Sequence, residues 1–229
     1  MADEKLYRDK FGNNVSLKEL MKGKDPQQNA ATKFFFGIPI KEGCFKKEFL
    51  TLAGYNEIVH AKRGTGNYKD KALIKLGLDE DQVKEVDPVC FEGYRFEYPK
   101  LEPFSKYIDG TFVSSMYEIT WIFFGNDQVY VYNHSFDTTD STESDKTLEY
   151  FYKDITAFAT SSDSVPRKVW ITTKKGCSSE TESQTKNVNS DLFQIKVPGD
   201  TFSCALRSAE EYTTAISAMK QKLRDKKNQ

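Results

Sequence analysis

The sequence is poor in the residues from which most active sites are built. Only two histidines occur, His60 and His134, and neither stands in HExxH or another metal-ligating spacing. The cysteines, at positions 44, 90, 177 and 204, are too far apart to make the close pairs that structural zinc uses. The expectation is reduced thiols, some of them packed as small hydrophobes. Neither sign of charge is in excess: 33 Lys and Arg face 34 Asp and Glu, for a net charge of -1. That balance excludes whole-molecule steering towards nucleic acid or an acidic membrane. No apolar run approaches the length that crosses a bilayer. The opening Met-Ala-Asp-Glu-Lys has neither the basic start nor the apolar stretch of a secretory signal. A cytoplasmic location is therefore expected.

What is present divides the chain near Pro88. Residues 1–87 lean towards helix. Ser16 followed by Glu19 is a capping-box pattern that opens a short helix through Met21. Ala30, Ala31, Phe34 and Phe35 form a second short helical face. Phe45 to Ala61 spaces Phe45, Phe49, Leu52, Ile58 and Val59 at helical intervals. Ala72, Leu73 and Leu76 give a further helix ended by Gly77, and Asp79 to Val86 another.

Residues 88–229 read as antiparallel β-structure with a last helix. Phe112 to Phe124 is a long strand candidate, with Tyr117, Ile119, Trp121 and Phe123 on one face. Gly125-Asn126-Asp127 reverses it into Gln128 to Phe136, a hairpin. The polar stretches Asp137 to Lys146, Ser161 to Pro166 and Lys174 to Ser190 read as loops. Phe193, Ile195 and Val197 alternate with Gln194 and Lys196, and Phe202, Cys204 and Leu206 follow the turn at Pro198-Gly199-Asp200. Trp121, Phe123, Ile171, Phe193, Ile195 and Phe202 are expected in one core. Ser208 and Glu211 suggest a capping box. From there Tyr212, Ala215, Ile216, Met219 and Leu223 make one apolar stripe, and the helix ends in cations that complement its dipole.

This order of elements, carried by Met116 to Phe136, Glu149 to Thr160 and Phe193 to Leu223, resembles the pleckstrin-homology superfold and its GRAM domains. The stretch Glu149 to Thr156 is similar to the aromatic strand and Tyr-x-Asp-Ile bend of bacterial PH-like and GRAM-like proteins. The resemblance covers the last three-fifths of the chain. It implies an α+β protein: a PH-like antiparallel β-barrel with a C-terminal capping helix, preceded by a mainly helical N-terminal region.

The fold does not fix a function. Lipid-reading members of that superfold carry basic clusters between their first two strands. Here Lys100 and Lys106 flank Glu102, a weak cluster. With Tyr130 and Tyr132 they are the candidate ligand or anion contacts. Gly64-Thr65-Gly66 lacks the third glycine of a dinucleotide fingerprint and the Gly-Lys-Ser/Thr of a P-loop. The acidic residues Asp137, Asp140, Glu143 and Asp145 lack EF-hand order. A Cys44–His60 dyad would need spatial adjacency that sequence does not supply. No catalytic, cofactor or metal set can be assembled. The expected function is a non-catalytic binding or scaffold protein with a protein or peptide partner and no nucleic acid. An anionic-lipid adaptor using Lys100, Lys106 and the basic tail is the second reading. A small enzyme with an N-terminal site is the third.

Overall fold

The computed structural model describes residues 6–43, 46–64, 66–83, 87–175 and 178–227. The N-terminal part begins with the ribbon β1 (Tyr7–Arg8) and β2 (Asn14–Val15). Helix α1 (Leu17–Met21) follows, held by the expected Ser16–Glu19 capping box. Helix α2 (Pro26–Phe36) has a second capping box, between Asp25 and Gln28, with Pro26 in its first turn. A ribbon of β3 (Lys41–Glu42) and β4 (Lys47–Glu48) leads to α3 (Leu52–Gly64) and α4 (Tyr68–Leu76). A single 3-10 turn, Glu80–Val83, stands where another helix is expected. The region is not mainly helical: ribbons and irregular chain separate the helices.

Beyond Pro88 two sheets are stacked. The first has the order β10-β9-β8-β5, from β5 (Val89–Arg95), β8 (Met116–Phe124), β9 (Gln128–Asp137) and β10 (Glu143–Phe151). The second has the order β13-β12-β11-β6-β7, from β6 (Ser105–Ile108), β7 (Thr111–Ser114), β11 (Ala157–Lys175), β12 (Ser178–Val197) and β13 (Asp200–Leu206). The expected barrel is not formed: none of the sheets closes on itself. Helix α5 (Thr213–Lys227) completes the fold and buries Ile216, Met219 and Leu223. It starts five residues after Ser208, where the capping box was expected. The Ala209 N–H there bonds the Asp191 carboxylate at 3.0 Å.

Three strand assignments change. The long strand expected from Phe112 breaks at Ser115, whose hydroxyl binds the Asp137 carboxylate at 2.9 Å. The stretches 161–166 and 178–190, expected as loops, belong to a β11–β12 hairpin paired continuously from Ala157↔Lys196 to Lys175↔Ser178. At ~3.4 Å per residue an arm of this length spans about 60 Å. Its distal half lies beside β6, in parallel register at Trp170↔Lys106 and Ile171↔Tyr107. There Trp170 meets Phe36 of α2 edge-on at 4.7 Å. Third, β10 starts at Glu143, within the stretch expected as a loop.

The core is split by the first sheet. One face, with Phe91, Ile122, Phe124, Val129 and Val131, packs on Phe193, Ile195 and Phe202 and on α5. The other carries Tyr117, Ile119 and Phe136 beneath Phe34, Phe35, Phe36 and Tyr55 of the N-terminal layer. Phe123 and Tyr132 lie beneath Ala72 and Leu73 of α4. The single expected core is therefore wrong for three residues. Trp121 and Phe123 face the N-terminal layer, away from Phe193. Ile171 joins a small cluster of Phe96, Val169 and Val188 under the arm. Period two correctly put Tyr117, Ile119, Trp121 and Phe123 on one side, but β8 is buried on both sides.

Candidate ligand-binding cleft

Among the described residues a large cavity opens where the sheets diverge. Gly93 starts it. A Cβ at this position would lie 2.7 Å from the Leu206 carbonyl carbon, so only glycine lets β5 and the end of β13 touch. Beyond this contact the strands separate, and a cleft of ≈ 600 Å³ lies between them. Asn56, Val59 and His60 line it from one face of α3. Tyr94 and Phe96 line it from β5 and its continuation, Thr111 and Phe112 from β7, and Asn189 to Asp191 from β12. A smaller annex of ≈ 90 Å³ shares Tyr94, Phe96 and Ser190.

Aromatic rings form the floor. Tyr94 meets Tyr117 edge-on at 5.2 Å and stacks at 6.4 Å on the fully buried Tyr55. The Tyr94 hydroxyl donates to Asn56 Oδ1 at 3.0 Å, fixing the ring against α3. Burial pushes this phenol far above its ordinary range, and the Tyr117 phenol up to about 12, so both remain protonated donors.

The charges at the rim are engaged within the protein. Arg207 pairs with Glu92 and lies 3.8 Å from Glu211, and Arg63 of α3 reaches the other Glu92 oxygen at 2.7 Å. Asp191 accepts from the Ser162 hydroxyl at 2.5 Å and from the Ala209 N–H. Lys62, the neighbour of Arg63, donates to the Asp137 carbonyl at 2.7 Å. Thr65 and Cys44 lie outside the described residues.

The four expected contact residues are elsewhere. Lys100 is exposed on a turn with φ +68°. Lys106 is buried, donates to the Phe34 carbonyl at 2.5 Å and lies 4.6 Å from that ring's centre. Tyr130 is half-buried near α4, and Tyr132 is fully buried with its hydroxyl on Asp145 at 2.6 Å. They form no common surface, and none of them lines the cleft.

The acidic segment is folded around ammonium groups of the chain itself. Lys10 Nζ stands 2.6 Å from both Asp137 and Asp140. Lys24 donates to the Thr139 carbonyl. Burial alone would raise the Asp140 pKa, but Lys10 and the Thr142 hydrogen bonds outweigh it and bring it down to about 2. Asp145 binds Lys75 at 2.5 Å, Lys71 at 3.1 Å and His134 Nδ1 at 2.7 Å. These bonds tie α4 to the β9–β10 hairpin. Burial lowers the His134 pKa against the pull of Asp145.

Neither a family model, a curated protein nor a solved structure matches this chain. Among the described residues no helix is long and apolar enough to cross a membrane. The cleft itself was not foreseen. The signal that pointed to it was Asp109-Gly110, a two-residue hairpin turn that creates β7 and hence one wall.

Proposed function

We propose that this chain is a non-catalytic binding protein whose ligand occupies the cleft between α3, β5, β7 and β12. The observation that carries this reading is the lining. Elements from both halves of the chain, α3, β5, β7, β8, β12 and β13, converge on a cavity within the size range of ligand sites, with an aromatic floor and a rim of amides and hydroxyls. The rim charges Arg207 and Asp191 have partners within the protein, so the cleft suits an uncharged surface better than an ion. The anionic-lipid reading loses support because Lys106 is buried beneath α2. A soluble fragment library screened by NMR tests the proposal. Shifts should concentrate on the amides of Tyr94, Phe96, Phe112 and Ser190. Fragments that perturb only residues outside the cleft would sink it.

A further inference from the structure

Two open sheet edges border the cleft, and their main-chain directions follow from the register. Asp109 and Gly110 both have positive φ, +49° and +82°, as a type I′ turn requires. The flanking pair Ile108↔Thr111 is then hydrogen-bonded, and the next pair, Tyr107↔Phe112, is not. Phe112 therefore turns its N–H and C=O away from β6. Ser114, two residues on, shows the same direction: its carbonyl leaves the sheet to accept the Tyr55 hydroxyl at 2.6 Å.

The β5 edge can be read in the same way. The Thr138 N–H reaches the Ser115 carbonyl at 2.9 Å, so Met116↔Asp137 is a non-bonded pair across β8 and β9. Met116 thus faces β5, and Arg95 opposite it bonds inward. Tyr94, its neighbour, points its N–H and C=O outward. Glu92 fits this alternation, because its N–H bonds the Tyr212 hydroxyl.

Other edges of the two large sheets are protected. The outer edge of β10 carries Glu143, Asp145, Lys146 and Glu149. The Glu118 carboxylate caps the Ala205 N–H of β13 at 2.7 Å. Along β11, which β6 meets at residues 170 and 171, Pro166 has no N–H to offer another strand. Strand β7, Thr-Phe-Val-Ser, has neither charge nor proline, although an unguarded edge invites pairing with another chain.

We infer that the cleft takes an extended peptide segment of another protein, added as a strand against the outward main-chain groups of Phe112 and Tyr94. Main-chain bonds would hold the segment, and alternate apolar side chains would enter the aromatic floor of Tyr94, Phe96 and Tyr117. This inference rests on the cleft being the ligand site and adds the class of ligand.

A random heptapeptide library displayed on phage, panned on the full chain, is the probe. An enriched peptide is then resynthesised with one N-methyl amide at each position in turn. Strand addition predicts losses of about tenfold at alternate positions and little change between them. Amide hydrogen exchange at Phe112 and Tyr94 should slow on binding. Phe112→Pro removes the outward N–H without touching the β6 ladder and should weaken the peptide about tenfold. Phe112→Ala, which retains that N–H, separates the side-chain contribution. Losses without period two, or unchanged exchange at both amides, overturn the inference. Self-association of the free protein that Phe112→Pro abolishes overturns it in favour of a second copy of this chain. If fragments bind the cleft and the library yields nothing, the peptide class fails while the binding reading stands. If neither reaches the cleft, both fail.

Discussion

The two faces of the first sheet are built by different physics. Against α5 and the second sheet the contact is mainly apolar: Phe91, Phe124 and Val131 meet Phe193, Ile195 and Met219, and the charged groups that reach this face include Glu118, bonded to the Ala205 N–H, and Lys146, 5.9 Å from the Phe202 ring centre. Against the N-terminal layer the aromatics are as dense, with Phe34 stacked on Tyr55 at 4.5 Å, but ammonium groups enter among them. Lys10 lies 5.3 Å from the Phe104 ring centre and Lys62 5.4 Å from that of Phe136. The cause is the turn that joins β9 to β10. It runs under the N-terminal layer with Asp137 fully buried, and its carboxylates and carbonyls need donors where water is excluded. Stability on the apolar face should follow the area removed from water, whereas on the other face it should follow pairing.

The strongest test of this contrast removes α5. Ending the chain before Ser208 deletes Ile216, Met219 and Leu223, each worth roughly 1.5–3 kcal/mol when fully buried, and bares the face beneath them. Loss of the cooperative denaturant transition is expected. A truncated chain that melts within about 1 kcal/mol of the full one would mean that α5 is not part of the apolar face.

Single substitutions should then separate the faces. Lys10→Ala leaves the buried Asp137 carboxylate without its ammonium and should cost about 3–5 kcal/mol in urea melts. Adding Asp137→Asn to Lys10→Met should recover much of that, because it removes the charge as well as its partner. Phe193→Ala, fully buried 4.7 Å from Phe91, should also cost about 3–5 kcal/mol through its cavity. No second substitution that merely removes charge should rescue it. The Phe193→Ala and Lys10→Ala losses should add, since no partner is shared across the sheet. Strong coupling between them would merge the two faces into one unit.

The contrast also explains what was legible in the sequence. The β8–β9 hairpin, the α5 stripe, the Ser16–Glu19 box and the helix before Gly77 are local signals, and each is found. Alternation could not tell which layer covers which side of β8, because a strand buried on both faces has no polar side to orient it. The arm was illegible for the opposite reason. Most of its described side chains reach water, so Ser, Thr, Gln and Glu are tolerated while the continuous β11–β12 ladder satisfies the backbone. The cleft is hidden because its walls come from α3, β5, β7 and β12, and only register fixes their main-chain directions. Lys106 reads as a surface cation beside Lys100. Its ammonium is instead buried at the C-terminal end of α2, where the last helical carbonyls attract a cation.

That lysine supplies the smallest and most specific test. On the pairing face it is the exception, a buried ammonium held by one carbonyl and one ring. Burial pushes its pKa down to about 8 from an ordinary 10.5. Below pH 8 both folded and unfolded chains carry the charge, and the folded chain bears the full desolvation cost. Between about 8 and 10.5 the unfolded chain binds more proton, so this group should make stability rise with pH, by roughly 1–3 kcal/mol in all. Lys106→Met keeps the volume and removes the charge. At pH 7 it should be neutral or stabilising by about 1 kcal/mol, with the gain reduced because the Phe34 carbonyl keeps only the Gly37 N–H at 3.3 Å. Its melts should lack the rise between pH 8 and 10 that the parent shows. A parent whose stability falls through that window exactly as the variant's does would show that Lys106 finds enough compensation at the α2 terminus to be a favourable pair, and that the N-terminal face is governed by pairing throughout.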